Sequence, residues 1–274
     1  MNKKRLNFYV LIIACWHFFQ PAMAADTKRL IQQSLVGDHR SEIHKARDVY
    51  RHPAETLDFF GLKSDMTVVE IWPGGAGWYT EILAPVLFQK GNLYTAHFNP
   101  NSEVAYFKKS YRKFAEKTKA NSDLYGNIRV TILQPPSLVT IAPPESADLV
   151  LTFRNVHNWM RNDQALTVIK AMFDTLKPGG ILGVVEHRAP TTRAQDPKAK
   201  SGYVREDYVV DLARQAGFIF IAKSEINANP KDLKDHPKGV WTLPPSLRLK
   251  EQDQDKYLTI GESDRMTLKF KKPN

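Results

Sequence analysis

The chain has 274 residues, 25% of them charged, with a single cysteine and a net charge of +10. This length suits one large domain behind a removable leader, and one cysteine excludes a disulfide framework or a cysteine metal centre. The positive charge suits solubility and anionic partners such as lipid headgroups or acidic metabolites, and no compact basic run with interleaved aromatics points to nucleic acid.

Lys3, Lys4 and Arg5 form a basic start, Phe8–Phe19 is mostly apolar, and Ala22-Met23-Ala24 is a small-x-small site before polar residues. This is the three-part pattern of a secretory signal peptide over residues 1–24, which predicts a periplasmic or secreted domain over 25–274. A membrane anchor is the plainer alternative, but the apolar run falls short of the roughly 20 helical residues a span needs. A third reading takes Ile12-Ile13-Ala14-Cys15 as a lipoprotein box; the apolar residues after Cys15 are unlike the usual linker.

Residues 25–60 read as an N-terminal helical segment. Pro53 suits a helix start and Gly61 a left-handed cap, so a helix is expected over Pro53–Phe60. A strand follows at Thr67–Ile71, then a glycine turn, then a helix over Trp78–Gln89 that Pro85 should kink or shorten. The pattern next predicts strands at Asn92–Phe98 and Ile128–Leu133, with a helix over Glu103–Ala120 between them. A strand at Ala147–Phe153, a helix over 162–176 and a strand at Ile181–Glu186, entered through a Lys-Pro-Gly-Gly turn, complete this rhythm. Then come a helix over Arg205–Gln215, a strand at Gly217–Ile226, an irregular insertion over 227–256 and a strand at Asp264–Lys272. Alternating strands and helices predict a three-layer α/β sandwich of Rossmann type. Its sheet should be mostly parallel and seven-stranded, and the last two strands should form an antiparallel edge pair.

Ligands of open α/β sheets bind beyond the carboxyl ends of the strands, so the turn after the first strand is the place to look. Gly74, Gly75 and Gly77 allow close backbone approach, and the next helix offers free N–H groups to an anion. The spacing departs from the dinucleotide fingerprint, and no P-loop Lys-Ser/Thr pair follows.

Taken in order, four segments resemble the class I S-adenosylmethionine-dependent methyltransferases. They are Val68–Leu83 (VVEIWPGGAGWYTEIL), Gly91–Phe98 (GNLYTAHF), Ala147–Trp159 (ADLVLTFRNVHNW) and Leu176–His187 (LKPGGILGVVEH). Phe153–Val156 looks like the quinone-methylating branch. Arg47–Leu62 (RDVYRHPAETLDFFGL), Glu70–Pro85 and Gly261–Phe270 are similar to a group of exported predicted methyltransferases of bacteria. The resemblance spans residues 45–272 and implies S-adenosyl-L-methionine as cofactor. It implies that Gly74, Gly75 and Gly77 admit the methionine part, and that Glu70 supports the turn or meets the amino group. Asn155 would lie near the methyl donor and Gln134, by position, near the adenine. Trp72 departs from the pattern by replacing the usual first glycine. His97, with Asn99 two residues on, departs again, standing where an acidic residue usually holds the ribose hydroxyls.

Arg154–Trp159 gathers polar and aromatic residues at a strand's carboxyl end, with His157 the best general base because imidazole titrates near neutrality. Arg47, Arg51 and His52 are candidates for an N-terminal lid, His187-Arg188 for substrate contact, and the insertion over 227–256 for a second lid. The histidines show no metal-ligand spacing, so no metal is expected. The reading is methyl transfer from S-adenosyl-L-methionine to a small or lipid-like acceptor outside the cytoplasm, with association at a membrane surface open. Two alternatives remain: a non-catalytic binding protein that keeps the fold, and a nicotinamide-dependent oxidoreductase, which the turn spacing argues against.

Overall fold

The computed structural model describes residues 19–274, with side chains from Ala25 onward. The basic start, the apolar run as far as Phe18 and Cys15 therefore lie outside the described residues. Helix α1, Phe19–Val36, runs through the expected cleavage position, and its packed face includes Thr27 and Ile31, both beyond that position. Short helices α2, Glu42–Lys45, and α3, Asp48–Arg51, lead to α4, Pro53–Phe60. Pro53 sits in the first turn of α4, and Gly61 closes it in a left-handed conformation, as expected.

Seven strands form one sheet: β1 Thr67–Ile71, β2 Asn92–His97, β3 Ile128–Ile132, β4 Ala147–Phe153, β5 Leu176–His187, β6 Ile219–Ser224 and β7 Arg265–Lys271. Their spatial order is β3-β2-β1-β4-β5-β7-β6, with β7 alone antiparallel to its neighbours. The expected sandwich is thus the observed one, and the strand order reverses between β1 and β4.

Alternation along β1 feeds two cores. Val69 and Ile71 face a cluster with Met160, Val168 and Leu212. These come from α8 (Val156–Arg161), α9 (Ala165–Thr175) and α10 (Glu206–Gln215). Val68 faces the opposite cluster with Ile31, Leu57 and Ile82, supplied by α1, α4 and α5 (Thr80–Leu87). Helices α6, Ala105–Ala120, and α7, Ser122–Tyr125, link β2 to β3, and α11, Gln254–Ile260, precedes β7.

Three expectations need correction. Helix α5 is shorter than expected, because residues 74–79 remain in turns. The Lys-Pro-Gly-Gly element lies inside β5, where Leu176 already pairs with Ala147 before the register shifts. Helices α8 and α11 lie where no helix is expected, α11 starting inside the irregular insertion; six and seven residues are too few to display a helical stripe.

Candidate functional site

The two residues that immediately follow β1 and β4, on either side of the switch point, are both left-handed. Trp72 has φ +46° and Arg154 has φ +61°, a conformation that costs most side chains energy and that clusters at functional sites. The turn after Trp72 also needs its glycines. A side chain on Gly74, at φ +71°, would meet open space, whereas one on Gly77 would strike the Phe114 ring, and Gly75 lies against Ser110. Helix α6 therefore covers one side of the turn and leaves Gly74 open. Beneath it, Glu70 is buried and accepts a hydrogen bond from Thr80 Oγ1 at 2.6 Å, which ties the end of β1 to α5. Burial raises the Glu70 carboxyl to about 7, against the lowering effects of that bond and of Lys117.

The crevice itself is filled by aromatic rings. The Trp72 indole lies 4.7 Å from the Phe98 ring, 5.7 Å from Phe107 and 5.6 Å from Trp159, between ring centroids. Its Nε1 donates to the Leu133 carbonyl at 3.0 Å. One side chain thus spans the ends of β1, β2 and β3 and reaches α8. His97 is fully buried; its Nδ1 accepts the Phe98 N–H at 2.7 Å and its Nε2 donates to the Gly74 carbonyl at 3.3 Å. Burial pulls the His97 imidazole down to about 4, so the ring is neutral at physiological pH. Asn99 accepts the Asn101 N–H at 2.9 Å and builds a local turn. Trp159 Nε1, beside the indole, and Gln134 Oε1, one residue after the Leu133 carbonyl that the indole bonds, are buried without a partner.

At the ends of β4 and β5 a second set converges. Asn155 Nδ2 donates to the Ile71 carbonyl at 3.0 Å and to Thr152 Oγ1 at 3.3 Å, locking β1 to β4. His157 Nδ1 donates to Glu186 Oε1 at 3.1 Å, and Glu186 also accepts the His157 and His187 backbone N–H groups at 3.3 and 2.7 Å. Glu186 fixes the imidazole orientation and leaves His157 Nε2 as the proton acceptor, the arrangement of a general base with its orienting carboxylate. Sequence reasoning singled out His157 and missed Glu186; its place as the residue before His187 at a strand end was the available signal.

The Trp241 ring, from the insertion, lies 5.9 Å from the His157 ring between centroids, at 71° to it, so the insertion covers this end of the sheet. Arg47 and Arg51 reach it too, both bonding Glu262. His52 instead adopts φ +40° at the junction of α3 and α4. Arg188 is held by Asp264 and Glu225. His157, Glu186 and His187 place ligand atoms within 4.8 Å of one another, the one such group among the described residues. Glu186 is already committed to three N–H groups, and burial, His157, Arg154, Arg265 and Arg51 together hold His187 well below its usual range. So positive a surrounding disfavours a bound cation.

Comparison with solved structures places this fold. A SAM-dependent methyltransferase from Aquifex aeolicus matches at 15% identity and TM-score 0.55, covering 89% of this chain and 97% of the other. The [4+2]-cyclase SpnF matches at 14% identity and TM-score 0.56, covering 93% and 95%. Phosphoethanolamine N-methyltransferase 2 of Haemonchus contortus, in complex with S-adenosyl-L-methionine, matches at 12% identity and TM-score 0.54, covering 91% of this chain and 57% of the other. No protein-family model matches the sequence, and no curated protein matches it. The fold is that of the class I S-adenosylmethionine-dependent methyltransferases, and the cyclase shows that the fold alone does not fix the reaction.

The fold suggests S-adenosylmethionine, and the crevice as it stands suits only one of that molecule's two ends. The open Gly74 cradle suits the amino-acid end. The adenosine end does not fit while the Trp72 indole lies across β1, β2 and β3, and His97 has no ring nitrogen left for a ribose hydroxyl. The unpartnered Gln134 Oε1 and Trp159 Nε1 are polar groups a base could meet if the indole moved away.

Proposed function

We propose that this chain is an S-adenosylmethionine-dependent methyltransferase acting on a small or lipid-like acceptor outside the cytoplasm. The observation that carries the reading is the glycine turn after β1, open at Gly74, at the switch point of a sheet ordered 3-2-1-4-5-7-6. His157, oriented by Glu186, would take a proton from an acceptor hydroxyl, and the aromatic and insertion residues around it would exclude water. The export pattern of residues 1–24 and the net positive charge support the location and a contact with anionic partners.

A second reading, a ligand-binding protein that keeps the fold without methyl transfer, is favoured by the crevice-filling Trp72. Calorimetric titration with S-adenosylmethionine and S-adenosylhomocysteine separates the two. Micromolar binding of either supports methyl transfer, and folded protein that binds neither supports the second reading. Mass analysis of the protein recovered from the periplasm checks export; a first residue of Ala25 is the expected result.

A further inference from the structure

The carboxyl end of β4 and the turn before β7 carry more positive charge than their acids balance. Glu262 is buried and takes three guanidinium groups: Arg47 Nε at 2.7 Å, Arg51 Nε at 3.1 Å and Arg265 Nη1 at 3.1 Å. Arg265 also donates to the Ser263 and Tyr50 carbonyls, and Arg51 stacks 4.5 Å over the Trp78 ring. These contacts fix Arg51 and Arg265 as a rigid floor. A fourth cation, Arg154, lies near enough for its charge to act on all three other arginines and on Glu262. It forms no ion pair among the described residues, and its backbone is left-handed at φ +61°. Glu262 thus contacts three guanidinium groups, and the fourth, Arg154, acts at longer range on Glu262 and on Glu70.

Two of their N–H groups, Nη2 of Arg47 and Nη1 of Arg154, are buried with no acceptor. A buried, charged donor without a partner is among the costlier features a fold can retain, and the surplus of like charge adds to it. Both terms are relieved by an anion with at least two oxygens, one for each orphan donor. The Arg47 side chain is 20% exposed and Arg154 is half-buried, so solvent reaches both side chains while the two orphan N–H groups themselves are covered. We infer that Arg47 and Arg154 bind an oxyanion, a carboxylate or phosphate group of a small-molecule ligand, above the Glu262 cluster. An anion held there lies beside His187 and the His157–Glu186 pair, and so presents the rest of its molecule to the candidate base. The inference goes beyond methyl transfer and stands whether or not the chain binds S-adenosylmethionine.

The test titrates the full chain with inorganic phosphate and, separately, succinate at constant ionic strength, read by calorimetry and thermal unfolding. Saturable binding with a rise in melting temperature is expected. Arg154→Gln should weaken it by about tenfold or more, the loss of one charge-assisted contact. The same variant should melt higher than the wild type without anion, because an unpaired buried charge is gone; a merely structural arginine would give the opposite. Arg214→Gln, on the exposed face of α10, should leave binding unchanged. Tighter phosphate binding assigns a phosphate-bearing ligand, and tighter succinate binding a carboxylate. If Arg154→Gln does not fold, Arg47→Gln carries the binding comparison alone, because it also loses the Glu262 contact. Absent saturable binding, equal binding in wild type and variant, or displacement by S-adenosylhomocysteine would each overturn the inference; the last would assign the arginines to the cofactor.

Discussion

Trp72 concentrates the functional question in one side chain. Its backbone is left-handed, which glycine tolerates and tryptophan does not, so the ring contacts must offset that cost. Trp72→Gly removes the strain and empties the crevice. It is expected to lose a few kcal/mol of stability with the aromatic contacts. It should nevertheless bind S-adenosylhomocysteine about tenfold tighter or better, since a displaced ring no longer competes. Calorimetry on the two chains checks this, and equal affinity would mean that the indole does not stand in the cofactor's place. Glu70 poses a separate question. Its folded value of about 7 lies above the usual 4.5, so the folded chain holds an extra proton between them and loses stability as pH rises through that window. Glu70→Gln should remove a slope of at most about 1.4 kcal/mol per pH unit, measured by urea unfolding from pH 4.5 to 7. An unchanged slope would show that Glu70 titrates normally.

Among the elements, α3 and the turn before β7 depend on one another. Arg47 and Arg51 flank α3, and Glu262 joins both to Arg265 at the start of β7. Arg47 and Arg51 were legible as lid candidates, but their shared partner lies more than 200 residues away in sequence, where no local pattern reaches. Glu262→Gln strands two buried guanidinium groups, Arg51 and Arg265, and the partly exposed Arg47, and should cost roughly 3–5 kcal/mol, measured by denaturant unfolding. Phosphate should then raise the melting temperature of this variant more than that of the wild type, since the anion supplies the missing charge. Helix α8 teaches the same limit differently. It carries His157 and Trp159 into the site from a stretch of six residues, too short for periodicity to reveal.

At the scale of the whole molecule, acid stability follows from groups spread over the sheet. Burial would raise Glu262, but Arg51, Arg265, Arg47 and Arg154 together hold it at about 2. Its contribution is complete above 4.5 and is lost as pH falls through about 2. His97, lowered from 6.5 to about 4, costs stability as pH falls across that interval, because the unfolded chain takes the proton first. Glu70 acts with the opposite sign over much of the same range. Wild-type stability should therefore be nearly flat from pH 5 to 6.5 and fall steeply below pH 4, as a series of denaturant curves would show. The sequence by itself determined the strand and helix rhythm, the glycine turn and the antiparallel edge, because periodicity and turn chemistry are local properties. Only the tertiary structure decided that Trp72 fills the crevice, that His97 is sealed, that Glu186 orients His157 and that three arginines meet one glutamate. Those are contacts between the ends of different strands, set by how the sheet brings distant residues together.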